Sequence, residues 1–451
     1  MSNGKPRRKS IFGAMVLIGI GTLLLINNLT PGFEFWDLFR RWWPLLLILW
    51  GGVKLLENLA ARSAGEVPPP TLTGGEIFLL IFLLFIGGAT GLADRIREGD
   101  EDFSIELPWE ESYSSPEEVR TFKADGAKPI LVTNYRGSVT LQPNDHPELR
   151  VTITKTVRGS RQERAEQRMK QVDLEIIEGA STIEIKPKYI GQGYRRVRMN
   201  LQIQLPRKLA ATVGTDNGDI RITGLGGAVK AETLNGDVEI RDVGAGAEIS
   251  VKGGAVKVAG AQGTVKVSGR GGEVDIADVT GEAQVDGEFY GPIVIKNVSK
   301  GTHFLSRRTD LTIGELPGRM EMAHGNLEIF DTPADINLVT EQKDIRMENI
   351  SGRLRIVNRR GNIEVRYRRP PQDEVDITND SGDLELALPE ASTFEISATA
   401  RSGDIENSFD DPGLKLTEEG NTATLQGKRG AKGPQVKLKT SYGHMRLRKA
   451  S

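Results

Sequence analysis

Two hydrophobic patterns divide the chain near residue 97. Before it, apolar residues come in unbroken runs at 11–26, 42–56 and 77–93. After it, they alternate singly with polar residues. Each run is at or below the short end of the roughly 17–25 residues that cross a bilayer as a helix. Their flanks agree with that use. Trp36, Trp42 and Trp43 stand at the edge of the second run, where indole favours the headgroup region, and Lys54 near its other end has a stem long enough to snorkel. The pattern predicts a membrane region at 1–97 with three candidate transmembrane helices, 11–26, 42–56 and 77–93. Lys5, Arg7, Arg8 and Lys9 precede the first run without a small-residue cleavage site after it, so it reads as a retained anchor. Beyond the third run, residues 94–102 carry five acids against Arg95 and Arg97. The positive-inside tendency then places the N-terminus in the cytoplasm and residues 98–451 outside, with Arg40 and Arg41 opposing it.

Past residue 205 the alternation acquires a beat. Apolar-polar-apolar triplets begin at Ile220, Val229, Val238, Ile249, Val256, Val265 and Val274, most often nine residues apart. NGDIRI at 217–222 and NGDVEI at 235–240 lie 18 apart, and GGAVKV and GGEVDI at 253–258 and 271–276 keep that step. The middle residues include Arg221, Lys230, Glu239, Lys257, Lys266, Asp275, Arg346, Arg355 and Glu364, so one strand face is dry and the other wet. Gly, Asn, Asp and Ser between triplets turn the chain. One short strand cannot bury its apolar face alone, whereas stacked copies can. The expectation is an all-β fold, a β-solenoid (β-helix) of ~18-residue coils with two strands each, preceded by the α-helical transmembrane region. Three strands per 27-residue coil also fit the beat, though NGD recurs at 18; an antiparallel sandwich of hairpins is the other competitor. About ten coils at ~4.8 Å per strand would make a rod of ~50 Å. Residues 98–205 are less regular and read as a β segment capping the solenoid at 206–451, with a short exposed helix at 160–171.

Charge and composition narrow the chemistry. Lys and Arg number 59 and Asp and Glu 61, a net charge of −2 that excludes a globally basic nucleic-acid coat. With no cysteine, disulfides, thiolate metal sites and thiol nucleophiles are excluded. Asp216, Asp219 and Asp237 recur beside turn glycines as a calcium ladder would require, but the series breaks at Ala255 and Glu273, so no metal is expected. Glu239, Asp275 and Glu364 fall in different coils, which gives no paired carboxylates for glycan hydrolysis. No nucleophile-elbow or phosphate-loop motif stands at a strand–helix junction. The expectation is a non-enzyme without cofactor.

One charge anomaly stands out. Arg353, Arg355, Arg359, Arg360, Arg366, Arg368 and Arg369 crowd 17 residues, with Tyr367 among them as a stacking surface. Guanidinium forks suit phosphates and carboxylates. Lys428, Arg429, Lys432, Lys437, Lys439, Arg446, Arg448 and Lys449 would add a basic distal end if the coils stack in sequence order. The expectation is a site for anionic envelope polymer or lipid headgroups; the competing reading is a solvated face with salt partners such as Glu364 and Glu374.

Two resemblances place these patterns in context. GAMVLIGIGTLLLINN and FWDLFRRWWPLLLILWGGVKLL, within residues 10–60, resemble the membrane domain of LiaI/LiaF-type bacterial envelope proteins. From about 120 to 449 the chain resembles the bacterial "putative adhesin" β-strand-repeat family, on its recurring [SN]-G-D-apolar turn and the LP preceding strand pairs; 291–325 departs from that pattern. The resemblances imply an envelope context, a β-repeat fold and no catalytic residues. The resulting expectation is a multi-pass membrane protein holding an extracytoplasmic solenoid for surface recognition, adhesion or scaffolding. Its partners would be the cytoplasmic membrane and anionic polymer, lipid headgroups or another envelope protein, not nucleic acid. The alternatives are an envelope-stress regulator acting on a sensor kinase through the helices and a polysaccharide-acting solenoid enzyme.

Overall fold

A computed structural model describes residues 111–123, 128–159, 162–190 and 196–450. The three segments expected to cross the membrane lie outside these residues. Among the described residues no helix is long and apolar enough to cross a membrane.

The beat becomes two stacked sheets of seventeen strands each. In the first, Ile220–Thr223, Val238–Val243, Val256–Ala261 and Val274–Val279 pair in parallel, with Ile220, Val238, Val256 and Val274 in register. In the second, Ala211–Asn217, Val229–Asn235, Ala247–Val251 and Val265–Gly271 do the same through Ala211, Val229, Ala247 and Val265. Each coil therefore uses 18 residues and two strands, and parallel pairing displaces the antiparallel sandwich. Val, Ile and Ala at alternate positions fill the space between the sheets; Val213, Ile240, Ile249 and Val256 are fully buried. Sixteen spacings of ~4.8 Å give the second sheet about 75 Å, longer than expected.

About half of the added length comes from the less regular segment, which contributes three strands to the second sheet. Ile130–Arg136 pairs in parallel with Ala211–Asn217, and Val139–Asn144 with Ile220–Thr223, so a regular coil precedes the repeat. The chain then lays Glu148–Gly159 and Val172–Glu178 two levels further out. It returns through Ile183–Tyr189 and Val197–Pro206 to fill the level between. The helix Gln162–Met169 joins the two outer strands and buries Ala165 and Met169. Arg120, on the edge strand Glu118–Lys123, closes this end. Its guanidinium donates to the Leu174 carbonyl and to Asp173, each at 2.6 Å, and so occupies a free strand edge.

Two further departures from sequence order follow. In the stretch that loses the SGD signature, Thr309–Ile313 and Leu316–Ala323 run antiparallel to the strands on both sides. One coil is thus reversed between two runs of parallel coils. Parallel order resumes at Asn326–Phe330 and Ile336–Gln342. Near the end, Gln435–Tyr442 inserts between Val375–Ser381 and Phe394–Ser402, and Met445–Ala450 between Leu384–Pro389 and Ile405–Asn407. The coils do not stack in sequence order, so Lys437, Lys439, Arg446, Arg448 and Lys449 lie on an inserted coil, while Lys428 and Arg429 lie nearer the end of the second sheet. The hairpin Leu414–Glu419/Thr422–Arg429 lies beyond that coil in the second sheet.

Candidate functional site

The turns that return the chain from the second sheet to the first share one design, forming a glycine edge. Gly236 and Gly382 have φ of +152° and +119°. A Cβ on either would overlap the carbonyl oxygen of the glycine one coil below, Gly218 or Gly361. Only glycine combines that φ with that approach. The following Asp or Asn accepts a backbone N–H from the next coil. Asp219 Oδ1 accepts from the Asp237 N–H at 3.0 Å, and Asp237 Oδ1 from Ala255 at 2.8 Å. The series recurs as Asp344 to Asn362, Asn362 to Asp383 and Asp383 to His444. These oxygens are engaged by amides, which accounts for the recurring aspartate without a cation. Buried Asn358 and Asn379 complete the turns, Asn379 Nδ2 donating to the carbonyls of Gly361 and Gly382 at 2.8 and 3.1 Å.

All seven arginines of the basic run are exposed, and the fold distributes them over several surfaces. Strand Leu354–Arg360 lies in the second sheet and Ile363–Arg366 in the first. Arg355 and Arg359 project from the second sheet, Arg366 from the first. Arg360 lies at the glycine edge; Arg353, Arg368 and Arg369 lie at the opposite edge. Arg353 and Arg360 bracket one strand, about 23 Å apart at 3.3 Å per residue. Arg366 faces Glu364 at 3.7 Å, Arg368 faces Glu348 at 3.9 Å, and Arg355 Nη1 donates to Asn337 at 3.4 Å. Tyr367 is a core residue, 1% exposed, and stacks on nothing outside. Burial pushes its phenol above the usual range.

Charge alternates along the outer faces. Arg221, Glu239, Lys257 and Asp275 are successive cross-strand neighbours on the first sheet, as are Arg355, Asp376 and Lys437 on the second. Hydrogen bonds from Arg241 and Arg221 hold the Glu239 carboxyl below the usual carboxylate range, against the opposing effect of burial. Glu239 and Asp275 thus belong to a ladder of opposite charge, whereas Glu364 stands between Arg346 and Glu385.

Sequence reasoning missed the acidic walls around the inserted coil. Residues 374–390 hold six acids and no base, and 435–450 hold five Lys and Arg and no acid. Ion pairs join them: Lys437–Glu374 at 2.7 Å, Lys449–Glu390 at 2.8 Å, Arg446–Asp383 at 3.3 Å and Arg448–Glu385 at 3.6 Å. Arg446 and Arg448 also reach Glu406 on the other wall. The signal was present as two complementary charge runs some 60 residues apart. Two open depressions lie on the surface of the described residues. One, of about 600 Å³, lies over Ser397, Lys415, Gln426 and Lys437; the other, of about 490 Å³, lies along Arg207, Asp242, Gln262 and Asp278.

Comparison with known proteins gives two family matches. The Toastrack DUF4097 family model matches residues 127–448, and the LiaI-LiaF-like transmembrane region model matches residues 11–55. Among solved structures, one from Clostridium sporogenes, described as a "putative cell adhesion protein", is 11% identical. The match covers 74% of this chain and 99% of that one with a TM-score of 0.18, too low to carry an argument. No curated protein matches.

Proposed function

Because the chain belongs to the Toastrack DUF4097 family and carries a LiaI-LiaF-like transmembrane region, we propose that it is a membrane-anchored recognition scaffold of the bacterial cell envelope. In this reading the β-stack stands outside the cytoplasmic membrane and works by contact, without turnover or cofactor. The observation that carries it is the length of the outer faces. A stack of about 75 Å presents charged side chains at every step, a form suited to weak multivalent contact with another extended surface.

The arginines keep a part in this reading, divided by edge. Arg359 and Arg360 would offer guanidinium forks toward the glycine edge, Arg368 and Arg369 at the opposite one, to anionic polymer or lipid headgroups. The test is retention on immobilised anionic polymer. Arg359/Arg360→Ser is expected to lose more retention than Arg368/Arg369→Ser, because Arg368 already faces Glu348. Equal retention of wild type and both variants would remove the anion site. Topology is tested by protease accessibility of a C-terminal tag in intact cells or spheroplasts. Digestion from outside is expected; protection until lysis would replace the envelope scaffold by a cytoplasmic one.

The match at 11–55 also favours a second reading, in which the helices influence a membrane sensor kinase. Exchanging them for an unrelated anchor should leave tethered binding intact but abolish regulation of a stress response.

A further inference from the structure

The inserted coil, residues 435–450, is laid between two coils that the chain has already formed, as the coil at 183–206 is near the other end. The coils on either side of it, 374–390 and 394–407, precede it in sequence yet do not pair with one another. Their second-sheet strands pair with Gln435–Tyr442, and their first-sheet strands with Met445–Ala450. Without the insert, they leave a slot one coil wide. Its first wall is uniformly acidic and the insert uniformly basic. Val436, Leu438, Met445 and Leu447 of the insert are at most 2% exposed, so it also supplies its own layer of core. Recognition is therefore complete within the slot: register, charge and apolar filling all come from the walls and the insert. Nothing in it depends on both belonging to one molecule.

We propose that this slot is a docking site for the same coil of a second copy, so that two chains pair by exchanging residues 435–450. The geometry limits what such a pair looks like. The insert is joined to Thr422–Arg429 through residues 430–434 only, a link that reaches about 20 Å when extended. Thr393 Oγ1 donates to the Lys432 carbonyl at 2.8 Å, holding that link against the body. Exchange thus requires the link to leave Thr393 and the two stacks to lie side by side. Ion pairs at the slot are exposed and screened by salt, so raised ionic strength should speed the exchange.

The absence of cysteine makes the test clean. Thr378 and Lys439 are cross-strand partners at the slot, and Lys439 also faces Thr399 on the other wall. Full-length chains carrying Thr378→Cys or Lys439→Cys, with different tags, are mixed in the membrane, held at high salt, returned to low salt and oxidised. The expected result is a mixed disulfide dimer well above either homodimer, with the Thr399→Cys and Lys439→Cys mixture behaving alike. The Thr378→Cys/Lys439→Cys double variant is the control, expected to close within one chain when diluted. Closure within the chain with no mixed dimer from either mixture would overturn the exchange. Failure of the double variant to link in any form would overturn the slot itself.

Discussion

At the scale of single residues, the turn glycines and one arginine hold more of the fold than their neighbours do. Gly382→Ala should destabilise by more than about 2 kcal/mol, because positive φ and the approach to the Gly361 carbonyl act together. Gly420→Ala, at φ +60° with open space around it, should cost about 1 kcal/mol. Urea midpoints of the two variants check the difference. Arg429 is the second case. Its Nη1 donates to the carbonyls of Glu390 and Ser392, its Nε lies 3.5 Å from Asp411, and its guanidinium sits 4.7 Å from the Phe409 ring centre. Phe409 in turn meets Phe394 edge to face at 5.5 Å. Arg429→Lys keeps the charge but not the fork, and should lower stability by about 1–3 kcal/mol in the same assay. Tyr367 shows what residue-level reading can miss. Its charged neighbours drew attention outward, yet Ile363, Val365 and Tyr367 continue the inward alternation. Periodicity was the better guide there than composition.

At the scale of elements, the coils were legible and their order was not. Alternating Val and Ile with Gly-Asp turns dictate a short strand with one dry face, and the 18-residue return sets two per coil. Loss of the signature at 291–325 marked the reversed coil. The insertion left no local mark, because a strand's pattern states which face is buried and not which strand lies beside it. Its trace is the complementary charge, which gives a prediction of its own. Hydrogen bonds from Lys437 and Lys449 hold Glu374 and Glu390 below the usual carboxylate range. For depressed carboxyls the stabilisation is present above their unfolded pKa and is lost as pH falls through the lower folded value. Amide-exchange protection of 435–450 should therefore fall on acidification below about pH 4, while residues 256–279 keep theirs over the same range. Equal loss in both regions would assign the effect to the stack as a whole.

At the scale of the molecule, a stack in which each coil touches its neighbours should unfold in sections. The interleaved strands at both ends change that expectation. Deleting residues from 431 onward removes one of the two neighbours of Val375–Ser381 and of Phe394–Ser402 at once. Limited proteolysis of the deleted chain should cut between 370 and 430 first, while the coils before 305 stay intact. A uniform gain in cleavage would mean that the reversed coil transmits the damage instead of containing it.

The inserted coil also has a consequence for the order of events during synthesis. A growing chain presents residues 374–407 before 435–450, so the two flanking coils emerge ahead of the coil that separates them. They must wait apart, or meet and part again. If the domain is threaded across a membrane from its N-terminal side, its last third stays open until that basic segment has arrived. An acidic, strand-edged gap is therefore exposed for as long as transit takes, and closes only on a chain that has come through at least as far as residue 450.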